Sequence, residues 1–400
     1  MKRFIAVLSL AVLPAAAGVG VSTHSYAASS VASAHVCDVV AVDFARCNAI
    51  LVTSGREAHG QVGPNGTAGP TGYNPSDLIS AYSLPSATAG SGQTVAIVDA
   101  YDDPNAESDV NYYRSQFGIA ACTTANGCFR KVSQTGTTSY PKANGGWAQE
   151  ISLDLDMVSA ICPNCHILLV EASSNSNANL GASVDEAAKL GANAISNSYG
   201  GSESSSDTTT YDAHYNHPGI AVTASSGDSA YGAQYPAGSQ YVTAVGGTAL
   251  TKDASVTRGW SETAWSSAGS GCSAYDAQPS WQSSVSNITS VCGKRAIADV
   301  SAVADPNTGV SVYDSLSYRG ASGWMVFGGT SVSSPIIASV YALAGNAASV
   351  TYGSYPYSHT SSLNDVTSGS NGSCGNVLCN SGPNWDGPTG LGTPNGTGGF

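Results

Sequence analysis

The chain has 400 residues, of which only 10% are charged and 42% hydrophobic, and its formal net charge is −13. Such an acidic, lysine-poor composition lacks the basic patches that nucleic-acid binding calls for. The length is ample for a substantial core, either as two or three ordinary domains or as one large α/β domain with short extensions.

The chain opens with Met1-Lys2-Arg3, the apolar run Phe4 to Val21 and then Ser25-Tyr26-Ala27. These are the charged, hydrophobic and small-residue regions of a secretory signal. Pro14 and several glycines interrupt the run, so removal after Ala27 is expected over retention as a membrane anchor, leaving a secreted, extracellular protein. No later stretch is long and apolar enough to span a bilayer. The ten cysteines of an exported chain read as disulfides, with nearest-neighbour pairing expected: Cys37 with Cys47, Cys122 with Cys128, Cys162 with Cys165, Cys272 with Cys292, and Cys374 with Cys379. The stretch Cys162-Pro163-Asn164-Cys165-His166 also spells a haem-attachment pattern or half a zinc site. Zinc would need a second ligand pair at comparable spacing, and His166 opens an apolar strand, where a structural role is expected.

Residues 28–72 are rich in Ala, Val and Gly and end in a Gly60-to-Gly66 linker, so they read as a short extension ahead of one domain over 73–400. From Tyr73 strands and helices alternate. Thr94–Asp99, His166–Val170, Ala194–Ser198, Ile220–Ala224 and Tyr241–Val245 are short, continuously apolar runs suited to strands buried on both faces. Glu107–Phe117 and Ser183–Leu190 read as helices between them. The alternation implies right-handed crossovers and a doubly wound, mostly parallel sheet with helices on both faces, an α/β fold. Ligands in such sheets bind beyond the carboxyl ends of the strands. There three runs end in polar or small residues: Asp99, Asn197-Ser198-Tyr199-Gly200-Gly201 and Ser225-Ser226-Gly227-Asp228.

In the helical run Glu150 to Val158, Ile151, Leu155 and Val158 make an apolar stripe, and Glu150 and Asp154 share the face beside it at i and i+4. If buried, such a pair tends to share a proton and can serve as a base at low pH; the competing reading is an exposed acidic face, the class in which Asp156 is kept. Further on, Gly328 and Gly329 allow a tight turn. Pro335 is expected in the first turn of a following helix, which puts Ser331 at a helix mouth that favours developing negative charge. On Gly-Thr-Ser alone, an ordinary loop competes. A serine nucleophile needs a base, yet none of the seven histidines opens a helix as an Asp-His-Ser arrangement would require. Asp99, at the position of such a triad's acid, is then read as structural.

Glu150-x-x-x-Asp154, Ser225-Ser226-Gly227-Asp228 and Gly329-Thr330-Ser331-x-x-x-Pro335, in this order, resemble the sedolisin family, the serine-carboxyl peptidases, over about Tyr73 to Gly396. The resemblance implies a subtilisin-like fold and an endopeptidase active at acidic pH. It implies Ser331 as nucleophile, Glu150 as general base, Asp154 as the acid that orients Glu150, and Asp228 as oxyanion partner. Asn197 to Gly201 is similar to the family's substrate-binding strand, whose backbone edge would pair with an extended peptide. Asp365-Val366 and Gly382-Pro383-Asn384-Trp385-Asp386 resemble the family's Ca2+ site, with the side chains of Asp365 and Asp386 and the carbonyls of Val366, Gly382 and Asn384 as hard oxygen ligands. Asn stands where the family usually has Gly at 384, a change tolerated because Asn accepts left-handed φ. The family's long N-terminal prosegment has at most a reduced counterpart in residues 28–72. The expected partner is a protein or peptide substrate, with neither nucleic acid nor membrane and the chain as a monomer. Two rivals stay open: a secreted peptide-binding protein on a peptidase scaffold, and a subtilisin-like Asp-His-Ser hydrolase.

Overall fold

The computed structural model describes residue 1 and residues 31–54 and 69–400; the signal-like segment and the Gly60-to-Gly66 linker lie outside these. Three strands come from the extension: β1 (Ala32–His35), β2 (Arg46–Cys47) and β3 (Ile50–Ser54). Helix α1 (Pro75–Ala81) follows, then β4 (Thr94–Ala100), α2 (Ala106–Gln116), β5 (Phe129–Ser133), α3 (Gly145–Ile161), β6 (His166–Ala172), α4 (Asn177–Lys189), β7 (Ala194–Asn197) and β8 (Tyr199–Ser202). Next come β9 (Ala221–Ser225), β10 (Gln234–Tyr235), β11 (Thr243–Lys252), β12 (Trp260–Ala264), β13 (Gly271–Ala277), the single turn α5 (Ser286–Thr289), β14 (Lys294–Ile297) and β15 (Val300–Val303). The hairpin β16 (Val310–Tyr318) and β17 (Ala321–Gly328) leads into α6 (Thr330–Ala344).

The central sheet has the order β12-β11-β9-β7-β4-β6-β5, with β15 also paired to β11. All of its pairings are parallel except that of β11 with β12, as the continuously apolar strands imply. Strand β4 is buried from Val95 to Ala100. Its central place follows from that, because a parallel strand covered on both faces has no polar side to show.

Helix α3 is longer than its apolar stripe suggests, and every residue from Gly146 to Ile161 is buried. Its start is fixed by Asn144, whose side chain accepts from Gly146 N and Trp147 N at 3.0 and 3.2 Å, the usual service of an Asn N-cap. The helix packs against α1, α2, α6, β4 and β16, so it has no solvent face. The competing reading of an exposed acidic face therefore fails. Asp156 in particular is buried and accepts from Tyr313 N at 2.8 Å.

Residues 31–400 form one compact unit, so the described part of the extension packs with the rest of the chain. Strand β1 pairs with β3, β3 with β17, and β2 with β8. All five nearest-neighbour disulfides are formed, including the Cys162–Cys165 couple of the haem-like pattern. Among the described residues no helix is long and apolar enough to cross a membrane.

Candidate active site

The four expected catalytic residues come from three elements that meet at the carboxyl ends of the parallel strands. Gly329, at φ 97°, turns the chain from β17 into α6, a left-handed conformation that favours glycine. Thr330 and Ser331 are the first residues of α6, so Ser331 stands in the field of the helix N-terminus. Pro335 lies further in than expected, six residues into α6. A proline removes the i→i−4 bond of the turn before it, which here frees the carbonyl of Ser331. That oxygen takes the Ser198 hydroxyl at 3.4 Å instead.

Glu150 and Asp154, one turn apart on α3, have no solvent exposure. Burial, then the charge of Asp154, push the Glu150 carboxyl well above its ordinary range, against the opposing effect of the Ser331 hydroxyl. The Ser331 hydroxyl itself is directed to Ser198 O at 3.1 Å. Asp154 is likewise raised by burial, and the hydroxyl of Ser198 and a hydrogen bond with Glu150 oppose the rise. Ser198 Oγ lies 2.8 Å from both Asp154 oxygens. The two carboxyls thus share a proton that rests on Glu150 while Ser198 supports the charge on Asp154. Asp99, at the end of β4, is also fully buried, and burial with the charges of Glu150 and Glu171 raises its carboxyl. Asp99, structural on the sequence alone, belongs electrostatically to this cluster, a role its place near a strand terminus signals.

Asp228 follows β9. Its Oδ1 accepts from Thr330 N and Thr330 Oγ1 at 2.8 and 2.7 Å, while among the described residues its buried Oδ2 has no partner. Burial, only partly offset by the Thr330 donors, pushes its carboxyl up to about 7. Because Oδ1 is already filled by two donors, the proton belongs on Oδ2, the atom free to donate. Among the described residues no histidine hydrogen-bonds to Ser331, Glu150, Asp154 or Asp228; His214 and His217 instead face Asp185 at 2.6 and 3.1 Å.

Strand β8, in the stretch expected to bind substrate, is paired within the chain. Strand β2 of the extension pairs antiparallel along it, Arg46 with Gly200 and Cys47 with Tyr199, and Ala49 N donates to Glu150 Oε2 at 2.9 Å.

The expected metal ligands lie in two loops that hydrogen bonds join. Asn384, at φ 67°, donates its N–H to Asp365 Oδ2 at 2.8 Å, which joins the two loops. Asp386 accepts from Gly382 N and Thr389 N at 3.1 and 3.0 Å, and Val366 O takes only a long bond of 3.5 Å from Thr389 Oγ1. No hydrogen bond to the carbonyls of Gly382 or Asn384 occurs among the described residues. Two carboxylates beside backbone carbonyls left without strong partners are a donor set that fits a hard divalent cation. Among the described residues no group of three or more His, Cys, Asp or Glu side chains could hold a metal, so carbonyls would have to complete any such shell.

Residues 90–356 match the Subtilase family. Kumamolisin of Bacillus sp. (strain MN-32) is 30% identical over 367 residues, covering 82% of this chain and 63% of that protein. Sedolisin of Pseudomonas sp. (strain 101) is 28% identical over 367 residues, covering 80% and 60%. The chain spans about three fifths of the length of these curated relatives. Among solved structures, Pseudomonas sedolisin (serine-carboxyl proteinase) complexed with two molecules of pseudo-iodotyrostatin is similar with a TM-score of 0.69 and 26% identity, covering 82% of this chain and 96% of that one. The chain belongs to the subtilase family, on its sedolisin branch.

Proposed function

We propose that the protein is a secreted serine-carboxyl endopeptidase that hydrolyses protein or peptide substrates at acidic pH. The observation that carries this reading is the convergence of Ser331, Glu150 and Asp154 with Asp228, whose raised carboxyl keeps an unpartnered oxygen in the same buried site. In the reaction, Ser331 Oγ adds to the scissile carbonyl as its proton passes to Glu150 and the proton that Glu150 shared moves onto Asp154. Asp228 Oδ2–H donates to the oxyanion, aided by the positive end of α6. Glu150 then returns the proton to the leaving nitrogen, and water repeats the sequence to release the acyl group. Among the described residues no histidine hydrogen-bonds to these groups, which counts against the histidine-based rival.

Asp365 and Asp386, with the carbonyls of Val366, Gly382 and Asn384, would hold one Ca2+ that pins the two C-terminal loops and takes no part in the chemistry. Five disulfides support export to an oxidising compartment. The test is Ser331→Ala: cleavage of a peptide library at pH 4, followed by mass spectrometry, should be abolished while the melting temperature is retained. Residual activity within tenfold of wild type would remove Ser331 from its role.

A further inference from the structure

The turn after β12 builds an apolar pocket beside the oxyanion residue. Trp265 N donates to Gly247 O at 3.0 Å and Ala268 N to Trp265 O at 3.1 Å, which folds this turn back over β11. A Cβ added at Gly247 would lie 2.6 Å from the Ala304 methyl, 3.2 Å from the Trp265 ring and 3.3 Å from the Ala268 methyl. Bare glycine backbone therefore lets these three side chains close on one spot. That spot adjoins the chemistry on two sides. Ala304 O accepts from Gly329 N at 2.6 Å, at the turn into Ser331, and Asp228 lines the same cavity of about 340 Å³ as Trp265.

Ile50 shows what the pocket accepts. It is only 6% exposed and packs with Trp265, Ala268 and Ala304 in a small cluster separate from the main core. Its backbone shows which position of a substrate this is. Ala49 N donates to Glu150 Oε2 at 2.9 Å, as a leaving nitrogen must face the acid that protonates it. Ile50, the next residue, pairs antiparallel with Gly328, just ahead of Gly329 and Ser331. An extended peptide on the same edge thus puts the second residue beyond its scissile bond where Ile50 lies. The walls are an indole and two methyl groups, which favour a branched aliphatic side chain by burial and offer a charged one no partner.

We infer that Trp265, Ala268 and Ala304 determine specificity on the leaving side: they select peptides whose second residue after the cut is Ile, Leu or Val. The inference rests on the peptidase reading above and narrows its substrate class. A side chain shorter than Val leaves the indole wall uncovered, and a charged one is stripped of water without a replacement.

The full chain should be incubated at pH 4 with a peptide pool, and the residues on both sides of each cut read by mass spectrometry. Ile, Leu and Val should be enriched at the second position after the cut. In peptides that differ only at that position, Ile should give about tenfold or more higher kcat/KM than Ala, the discrimination an apolar pocket provides, with Lys no faster than Ala. Ala268→Leu, which fills the pocket, should bring the Ile peptide down to the Ala peptide or below it. If that variant does not fold, the wild-type profile decides alone. Cleavage of the pool with no aliphatic preference at that position, or a folded Ala268→Leu that keeps the wild-type order, overturns the inference and leaves the peptidase reading standing. A folded wild type that cuts no more of the pool than Ser331→Ala overturns both.

Discussion

Ser198→Ala tests how Asp154 is kept charged in a buried site. The substitution deletes one hydroxyl that lies 2.8 Å from each Asp154 oxygen and 3.4 Å from the carbonyl freed by Pro335. A hydrogen bond to a charged group contributes about 1.5–3 kcal/mol, and one pKa unit corresponds to about 1.4 kcal/mol. The loss should therefore raise the Asp154 carboxyl by about one to two units from a position that burial already sets high. Once the pair binds a second proton, Glu150 has no site for the proton of Ser331. The acid side of the rate profile should therefore move up by that amount, with kcat at pH 4 reduced about 10- to 100-fold. The assay is kcat and KM on one peptide between pH 2 and 7, with Ser198→Thr as a control that keeps the hydroxyl. An acid side that stays in place in Ser198→Ala, with kcat within twofold of wild type, would refute the assignment of Ser198 as the group that positions and ionises Asp154.

Chelation should lower the melting temperature and promote self-digestion, because a ligand bound only by the folded state stabilises it by about 2.7 kcal/mol at a hundredfold excess over its dissociation constant; an unchanged curve, with no calcium found by elemental analysis, would contradict the site. Stability should fall from pH 4 to pH 8, since burial raises the carboxyls of Asp103 to about 7 and of Asp276 and Asp314 to about 8. A group whose folded pKa lies above its unfolded value of about 3.9 stabilises fully below that value, and the contribution is lost as pH rises through the folded one. A melting temperature higher at pH 8 than at pH 4 in Ser331→Ala would contradict this. Asp228→Asn keeps a donor that needs no proton, so its residual activity should lose part of the fall seen in wild type as pH approaches 7; the same fall in both would take Asp228 out of the oxyanion role.

Much of the site was legible because its chemistry is written in local patterns. The i, i+4 carboxylates, the Gly-Gly before a helix and the strand ending at Ser225 each fix a geometry within a few residues. The apolar runs gave the strands of the central sheet for the same reason. The rest depends on packing between distant segments. Asp156 looked like surface until β16 closed over α3. Pro335 was expected one turn too early, and its actual place gives Ser198 a carbonyl to hold. Strand β2 has two residues, and its partner β8 lies some 150 positions onward. No periodicity in so short a stretch could mark Asn48–Ala49 as lying against Glu150.

The pH dependence of peptide hydrolysis by the wild-type protein bears most directly on the central claim. Asp228 donates to the oxyanion only while protonated, and its carboxyl is raised to about 7. Activity should therefore be complete well below that value and be lost as pH rises through it. Glu150 with Asp154 can still take a proton in the acid range because the pair shares one. The account predicts that kcat/KM has its maximum on the acid side and declines through about pH 7, whereas a histidine base would lose activity as pH drops below about 6.5. A maximum at pH 8 or above would contradict the carboxyl mechanism.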